Sequence, residues 1–410
     1  MKKRSNKILR IILKFLAQKT LKKYRPGIIG VTGSVGKTSS KLAIADALSS
    51  ERNVRAIRAN FNNELGFPLA ILGNYQKIGY PIIFWPKVIA AGIIKLIFKF
   101  PYPDILVLEY GADNPGDIKY LLDIAKPNIG VITAIGDIPA HVEFFSSPEE
   151  LAKEKSRLIE AVGVNGFAVL NADDETVMSL KNKTRSHIMT FGFGDRADVR
   201  IINFENRFDD DWRGILFKLA YNGSVVPIKI NGALGKSHAY AAAAAAACSL
   251  IFGINLVKIS DALNKYQPLN GRMTLVRGVK DTWIIDDSYN ASPLSMHAAL
   301  DTLKTLEAKR KIAVLGDMLE IGKYSLEAHE KLGRLAYGII DVLFTVGPRA
   351  KFIAGAAIDA GMKKDKVFIF DTADEAKLKV REIIKKGDIV LIKASHAIGI
   401  DKVVEEIKFV

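Results

Sequence analysis

The sequence predicts an α/β protein: a P-loop-type central domain with a mostly parallel sheet, followed by a smaller Rossmann-like domain. Three observations predict it. From residue 26 onward, short apolar runs of strand length alternate with segments of helical period, the pattern of parallel sheets covered on both faces. The first strand-to-helix junction carries Thr32-Gly33-Ser34-Val35-Gly36-Lys37-Thr38, a glycine loop that cradles phosphate. Near Pro268-Leu269-Asn270-Gly271-Arg272 the alternation breaks and then restarts, and 410 residues are too many for one ordinary core.

Residues 1–25 read as a basic amphipathic helix. Ile8, Leu9, Ile11, Ile12, Phe15 and Leu16 recur at helical spacing between Lys7, Arg10 and Lys14. The central domain is expected over 26–268. Its first strand is Gly27-Ile28-Ile29-Gly30-Val31, and Lys41 to Leu48 is the helix after the loop. An apolar insertion occupies about 76–103, where Ile82 to Phe100 is interrupted by Pro86 and by Lys87, Lys95 and Lys99. Those interruptions argue against a transmembrane helix. The three lysines are expected on one face of an interfacial or core helix. Ile105 to Leu108, Ile129 to Thr133 and Phe167 to Leu170 are buried-strand runs, with a helix over 149–162. Asp198 to Ile230, with its Asn222-Gly223 turn, reads as an antiparallel hairpin appended to the domain. Ala239 to Phe252 is an alanine-rich helix. The last domain, 269–410, is expected to build its sheet from Trp283 to Asp287, Ile312 to Leu315, Val342 to Val346 and Ile389 to Ile392.

The net charge is +15, but residues 1–25 hold ten Lys or Arg and no Asp or Glu. The remainder is therefore only about +5. Nucleic-acid binding calls for a basic face on a folded domain, so no nucleic-acid partner is expected. The basic helix, with residues 82–100, is instead the expected place of peripheral contact with an anionic membrane, or of packing on the protein itself. Lys14 and the lack of a following small-residue cleavage site argue against a signal peptide. Cys248 is the single cysteine, which excludes an internal disulfide and suits a reducing cytoplasm.

Four clusters sit where open α/β sheets bind ligands, at strand ends. In the glycine loop, Lys37 would reach the outer phosphates and the Thr38 hydroxyl would sit on Mg²⁺. The spacing departs from the common P-loop, because Val31 stands where that pattern has glycine. Glu109 follows a strand and can hold a metal bound to nucleotide phosphates, although acids at strand ends are common. His141 is either a metal ligand or a satisfied loop histidine. Asp286-Asp287-Ser288-Tyr289-Asn290 ends a strand of the other domain.

Together these stretches resemble the Mur ligase family, in the branch that adds D-alanyl-D-alanine. The match runs through Gly30 to Ser39, Asn60-Phe61-Asn62-Asn63-Glu64-Leu65-Gly66-Phe67-Pro68, Glu109-Tyr110-Gly111-Ala112 and Ala140-His141-Val142-Glu143. It continues in Ala152-Lys153-Glu154-Lys155, Asn270-Gly271-Arg272, Asp286 to Pro293, and Gly316-Asp317-Met318-Leu319-Glu320-Ile321-Gly322. The resemblance implies an ATP- and Mg²⁺-dependent ligase acting on small molecules, a muramyl peptide precursor and D-alanyl-D-alanine, through an acyl phosphate. It implies that Gly33, Ser34, Gly36, Lys37, Thr38 and Ser39 hold the nucleotide, with His238, Arg272 and Asp287. It places metal at Thr38, Glu109, His141 and Lys155, the last as a carbamate formed with CO₂. Without the resemblance, Lys155 reads as a solvated helix lysine. Lys37, Lys155 and His141 are the implied catalytic groups, and Asn62, Asn63, Tyr289 and Asn290 the substrate contacts.

Two departures stand out. Only about 25 residues precede the glycine loop, too few for the family's UDP-sugar-gripping domain. Near the adenine the family has His-Asn and a second Asn, whereas this chain has Ser237-His238 and Ala241. Two alternatives stay open. One is another carboxylate–amine ligase of the superfamily, folylpolyglutamate-synthase-like or acting on an amino-acid polymer. The other is a non-catalytic, nucleotide-binding membrane scaffold.

Overall fold

A computed structural model describes residues 2–209 and 211–409, with side chains from Lys7 onward. The side chains of Lys2, Lys3 and Arg4, part of the expected basic helix, lie outside the described residues. The larger sheet contains β1 (Gly27–Thr32), β2 (Val54–Arg55), β3 (Ile105–Glu109), β4 (Ile129–Ile132), β5 (Phe167–Asn171), β6 (His187–Gly192), β7 (Val199–Phe208), β8 (Arg213–Tyr221) and β9 (Ser224–Asn231). Its strand order is β2-β3-β1-β4-β5-β6-β7-β8-β9. All neighbours from β2 to β7 run parallel, and β7, β8 and β9 are antiparallel. The expected appended hairpin is thus a correction: these three strands extend the main sheet. Phe191↔Val199 and Gly192↔Arg200 join β6 to β7, and inward residues of β7 and β8 share the central core.

The second sheet contains β10 (Thr274–Gly278), β11 (Thr282–Asp286), β12 (Arg310–Gly316), β13 (Val342–Val346), β14 (Val367–Phe370) and β15 (Asp388–Lys393). Its order is β10-β11-β15-β12-β13-β14, parallel except for the β10–β11 pair. The α/β class is as predicted. Valine and isoleucine fill the central strands because both faces are covered by helices.

The helices that position the site are α1 (Lys2–Tyr24), α2 (Lys37–Leu48), α3 (Gly66–Leu72), α4 (Pro81–Ile97), α5 (Asp117–Ile124), α6 (Pro148–Glu160), α7 (Glu175–Ser179) and α8 (Lys236–Ile251). Helix α2 lies against α8, whose alanines from Ala241 to Ala247 are all fully buried. Methyl side chains let the two backbones approach closely, and that approach fixes the start of α2 beneath the glycine loop. Helix α6 begins at Ser147, whose hydroxyl accepts from the Glu150 N–H at 3.3 Å, with Glu149 and Glu150 in the positive first turn.

Helix α1 packs one face on its own protein, with Leu13, Leu16, Ala17 and Thr20 buried. The lysine face expected over Ile82 to Phe100 does not form. Lys99 lies beyond α4, Lys95 reaches inward to the Leu72 carbonyl, and Lys87 is exposed. A long lysine stem lets the ammonium cap a backbone carbonyl while its methylenes stay among apolar neighbours.

Enlarging Ala243, one of these buried alanines, to leucine would overfill the packing around α8. We expect Ala243→Leu to destabilise the protein by about 1–3 kcal/mol, read as a lower urea midpoint with an unchanged slope.

Candidate active site

The carboxyl ends of the two sheets face each other across a cleft of about 390 Å³. One wall carries Ser34, Gly36, Lys37, Thr38, Ser39, Asn62, Glu109 and His141. The other carries Arg272, Asp287, Tyr289, Asn290, Glu320, Lys393 and His396. A second pocket of about 360 Å³ borders Thr38, Arg272 and Tyr289, and Arg58, Pro268 and Leu269 help line it.

The glycine loop turns on two left-handed residues. Gly36 has φ 87° and caps α2, and Gly33 has φ 147°. A Cβ on Gly33 would sit 2.1 Å from the Thr133 hydroxyl, so the loop closes this tightly only with glycine there. The Ser34 and Val35 N–H groups donate to the Ala134 carbonyl at 2.6 and 3.1 Å. The anion-facing donors are therefore those of the first turn of α2, whose N-terminus has no side-chain cap. The buried Ser34 hydroxyl finds no hydrogen-bond partner among the described residues. Lys37 Nζ donates to the Gly33 carbonyl at 2.8 Å. Burial lowers its pKa, Glu109 opposes that shift, and Arg272 adds to it.

Glu109, at the end of β3, is the electrostatic centre. Its Oε2 lies 3.1 Å from the Thr38 hydroxyl and 3.2 Å from Lys41 Nζ, and its Oε1 accepts from Asn62 Nδ2 at 3.2 Å. Burial alone would raise its pKa, but Lys41, Lys37 and Arg272 together hold the carboxyl below its ordinary value. A serine- or threonine-type hydroxyl beside an ionised carboxylate is a hard-oxygen pair of the kind Mg²⁺ takes. Among the described residues no group of three or more His, Cys, Asp or Glu side chains converges on a metal position. The pair therefore fits a metal that keeps most of its ligands as phosphate oxygens and water.

His141 stands at φ 70° on the loop before α6. Its Nδ1 lies 2.5 Å from Glu320 Oε2 across the cleft, and its Nε2 3.5 Å from Asp113 Oδ1. Burial first and Lys37 second push its pKa down to about 4, against the pull of Glu320. The imidazole is neutral at pH 7. Lys155 on α6 is fully buried and donates to the Gly33 carbonyl at 3.0 Å. Burial, then Lys37, carries its pKa well below the ordinary lysine value. That is a correction to the reading of Lys155 as a solvated helix lysine. It lies behind the glycine loop, and its unmodified ammonium offers a metal no oxygen.

Between the two sheets runs Asn270-Gly271-Arg272-Met273. The Gly271 N–H donates to Asp286 Oδ2 at 3.0 Å and the Met273 N–H to Asp287 Oδ1 at 3.1 Å. Asp287 also pairs with buried Lys393 at 2.6 Å. Arg272, so held, stacks its guanidinium 4.0 Å from the Tyr289 ring centroid and donates to the Thr38 hydroxyl at 3.3 Å. Tyr289 stacks on His396 and accepts from Asn60 Nδ2 at 3.0 Å through its hydroxyl. Thr38, Arg272, Tyr289 and Asn60 thus form a continuous chain of contacts across the cleft.

The model of the Mur ligase middle domain matches residues 90–249, and that of the Mur ligase glutamate ligase domain matches 271–396. The UDP-N-acetylmuramoyl-tripeptide--D-alanyl-D-alanine ligase of Bacillus subtilis is 30% identical over 397 residues, covering 96% of this chain and 79% of that protein. The chain belongs to the Mur ligase family. Among solved structures, the MurF ligase of Thermotoga maritima in complex with ADP aligns with a TM-score of 0.79 at 26% identity, over 97% of this chain and 83% of that one. A MurF from Acinetobacter baumannii gives the same TM-score and identity, over 97% and 80%. The Mycobacterium tuberculosis folylpolyglutamate synthase, at 15% identity and a TM-score of 0.67 over 96% and 95%, shares the fold alone.

Two expected contacts are placed differently in this Mur ligase chain. His238 does not line the cleft. It is buried, its Nε2 sits 2.7 Å from the Arg272 carbonyl, and burial lowers its pKa to about 4. Lys236 and Ser237 reach the cleft instead, because one further helical step turns residue 238 into the core. Asn63 caps α3, its Oδ1 accepting from the Gly66 N–H at 2.9 Å. Its neighbour Asn62 is the one that faces Glu109. Sequence reasoning missed Lys41, Asn60, Glu320, Lys393 and His396 as members of the site. Lys393 carried a readable signal, a lone charge ending the strand run Ile389 to Ile392.

Because Glu320 raises the His141 pKa and burial lowers it, the imidazole should titrate near pH 4. Glu320→Gln should move the midpoint lower still. A folded-state pKa below the ordinary histidine value means that this group's stabilisation is full above about pH 6.5 and lost as pH falls toward 4. Histidine C2 proton shifts followed against pH measure both effects.

Proposed function

We propose that this chain is an ATP-dependent ligase that adds D-alanyl-D-alanine to a UDP-N-acetylmuramoyl tripeptide or a related peptidoglycan precursor. The observation that carries the reading is the single cleft in which Lys37, Thr38 and Glu109 meet Arg272 and Tyr289 from the opposite sheet. The name carried by the Bacillus subtilis relative supports the choice of substrates.

The chemistry runs in two steps. An oxygen of the substrate carboxylate attacks the γ-phosphorus of ATP. The new C–O–P linkage forms as the β–γ bridging P–O bond breaks, and ADP leaves with that electron pair. The amine of the incoming dipeptide, having lost its ammonium proton, then attacks the acyl carbon. The C–O bond breaks, inorganic phosphate departs, and an amide remains. The first step brings two anions together, which is unfavourable without cations near the transferring group. Lys37 supplies charge at the outer phosphates, and Arg272 supplies it from the facing sheet. Thr38 and Glu109 would hold Mg²⁺, which would offset phosphate charge. Neutral His141 is available beside it, and Lys155 joins the donor set only as the carbamate that the family resemblance implies. Asn62, Tyr289 and Asn290 border the space left for the acceptor and the amine. Contact between the walls excludes water that would hydrolyse the acyl phosphate.

The test measures ADP, phosphate and new amide with a UDP-N-acetylmuramoyl tripeptide and either D-alanyl-D-alanine or glutamate as amine. Turnover with the dipeptide alone supports the proposal, and turnover with glutamate alone overturns it. Lys37→Ala should lower the rate by about 100-fold or more. Lys155→Ala should lower it sharply, with partial recovery in a small carboxylic acid. Full activity of Lys155→Ala would remove Lys155 from the donor set.

A further inference from the structure

Helix α4 carries its apolar side outward. Its buried positions are Val88 and Gly92. Residues 82, 83, 86, 87, 90, 93, 94 and 97 are exposed, one helical stripe with Lys87 as its only charge. Ile82 is 82% exposed, Ile83 71% and Ile97 68%. Soluble surfaces do not normally present isoleucine this densely along one helix. Helix α1 lies directly beside it. Leu16 Cδ1 would meet a Cβ on Gly92 at 3.2 Å, and Lys23 Nζ donates to the carbonyls of Lys95, Leu96 and Phe98. The outward stripe of α1 is Ile8, Ile11, Phe15, Lys19 and Lys22, apolar at one end and cationic at the other. Phe98 and Phe100 extend the apolar surface past the end of α4.

The charge carried by the two segments themselves is of one sign, and the acids that reach α1, Glu64 and Asp123, are paired with Arg10 and Lys14. Residues 1–25 contain no Asp or Glu, and neither do residues 65–103, which contain Lys77, Lys87, Lys95 and Lys99. Elsewhere acids and bases are interspersed. No helix among the described residues is long and apolar enough to cross a membrane. Exposed isoleucine and phenylalanine on segments whose own charges are all lysine and arginine match a surface that is apolar inside and anionic at its boundary. A helix of this kind lies in the plane of the headgroups.

We propose that α1 and α4 together form a docking face for the surface of an acidic phospholipid bilayer. Ile82, Ile83, Ile93 and Ile97 enter the acyl boundary, and Lys19, Lys22, Lys87 and Lys99 meet the headgroups. Helix α3 joins this face to the cleft. It packs beneath both helices, and its capping loop carries Asn62 to Glu109. Docking therefore fixes the direction in which the cleft opens relative to the lipid.

The test uses the full chain and unilamellar vesicles of phosphatidylcholine, with or without about one-third phosphatidylglycerol. The protein should co-sediment with the acidic vesicles at low salt, about 10-fold more than with phosphatidylcholine alone. About 0.5 M salt should weaken the binding. The double variant Ile93→Glu/Ile97→Glu, which changes only exposed positions, should lose about 10-fold or more of it with unchanged circular dichroism. Val257→Glu, exposed on the helix Leu256–Leu263, should bind as the parent does. No binding to acidic vesicles, equal binding to both compositions, or undiminished binding by the double variant would overturn the proposal. So would a dimer in sedimentation that the double variant dissociates without any vesicle binding, since the face would then belong to a second copy. None of these readouts requires turnover, so failure here and failure of the ligase reading are separate results.

Discussion

A buried carboxylate kept ionised by cations organises this molecule. Glu109 sits at the end of a central strand with almost no solvent, where an unpaired charge would cost several kcal/mol. Lys41 offsets that from the same helix that starts at the phosphate loop. Lys37 and Arg272 add the remaining field. Each of these cations is placed by a different feature: the glycine turn for Lys37, helix α2 for Lys41, and the carboxylates of Asp286 and Asp287 for Arg272. Loss of any one of those features would leave charge stranded in the interior, so the electrostatics of the cleft and the stability of the larger sheet are one problem.

The segment between the sheets shows how connection and catalysis share residues. Asp286 and Asp287, at the end of β11, bind the backbone of Gly271 and Met273. Met273 occupies φ 54°, a conformation that a non-glycine side chain adopts only under local constraint. The carboxylates supply that constraint, and the result is an arginine aimed at Thr38. His238, behind the wall, bonds the carbonyl of the same arginine. The joint is thus held on its backbone from both sides, while the guanidinium itself rests on an aromatic ring and a hydroxyl.

Much of this was legible in the sequence because it is local. Strand runs, helix periods and the glycine loop each occupy a few consecutive residues, and their chemistry follows from spacing. What was not legible depends on residues far apart in the chain. Nothing near Lys41 announces Glu109, and nothing near His141 announces Glu320. Interior lysines were the systematic failure. Without the family resemblance Lys155 read as a solvated charge, and Lys95 was expected to share one helix face with Lys87 and Lys99, yet the first is sealed behind the loop and the second caps a carbonyl. Both errors have one cause: a four-carbon stem lets the charge travel several ångströms from its Cα, so helical phase alone does not locate it. His238 failed differently, since its neighbours do reach the cleft and only one step of helical rotation separates them.

The contacts of α1 bear on how the chain reaches this state. Its partners arrive late. Lys23 waits for carbonyls more than 70 positions downstream, and Gln18 for the Asp123 carbonyl, more than 100 positions away. A nascent chain would carry this greasy, cationic segment with its inner face uncovered until the helices it packs on have been made. This segment is therefore made before the surfaces it rests on, which leaves it open to premature association during synthesis.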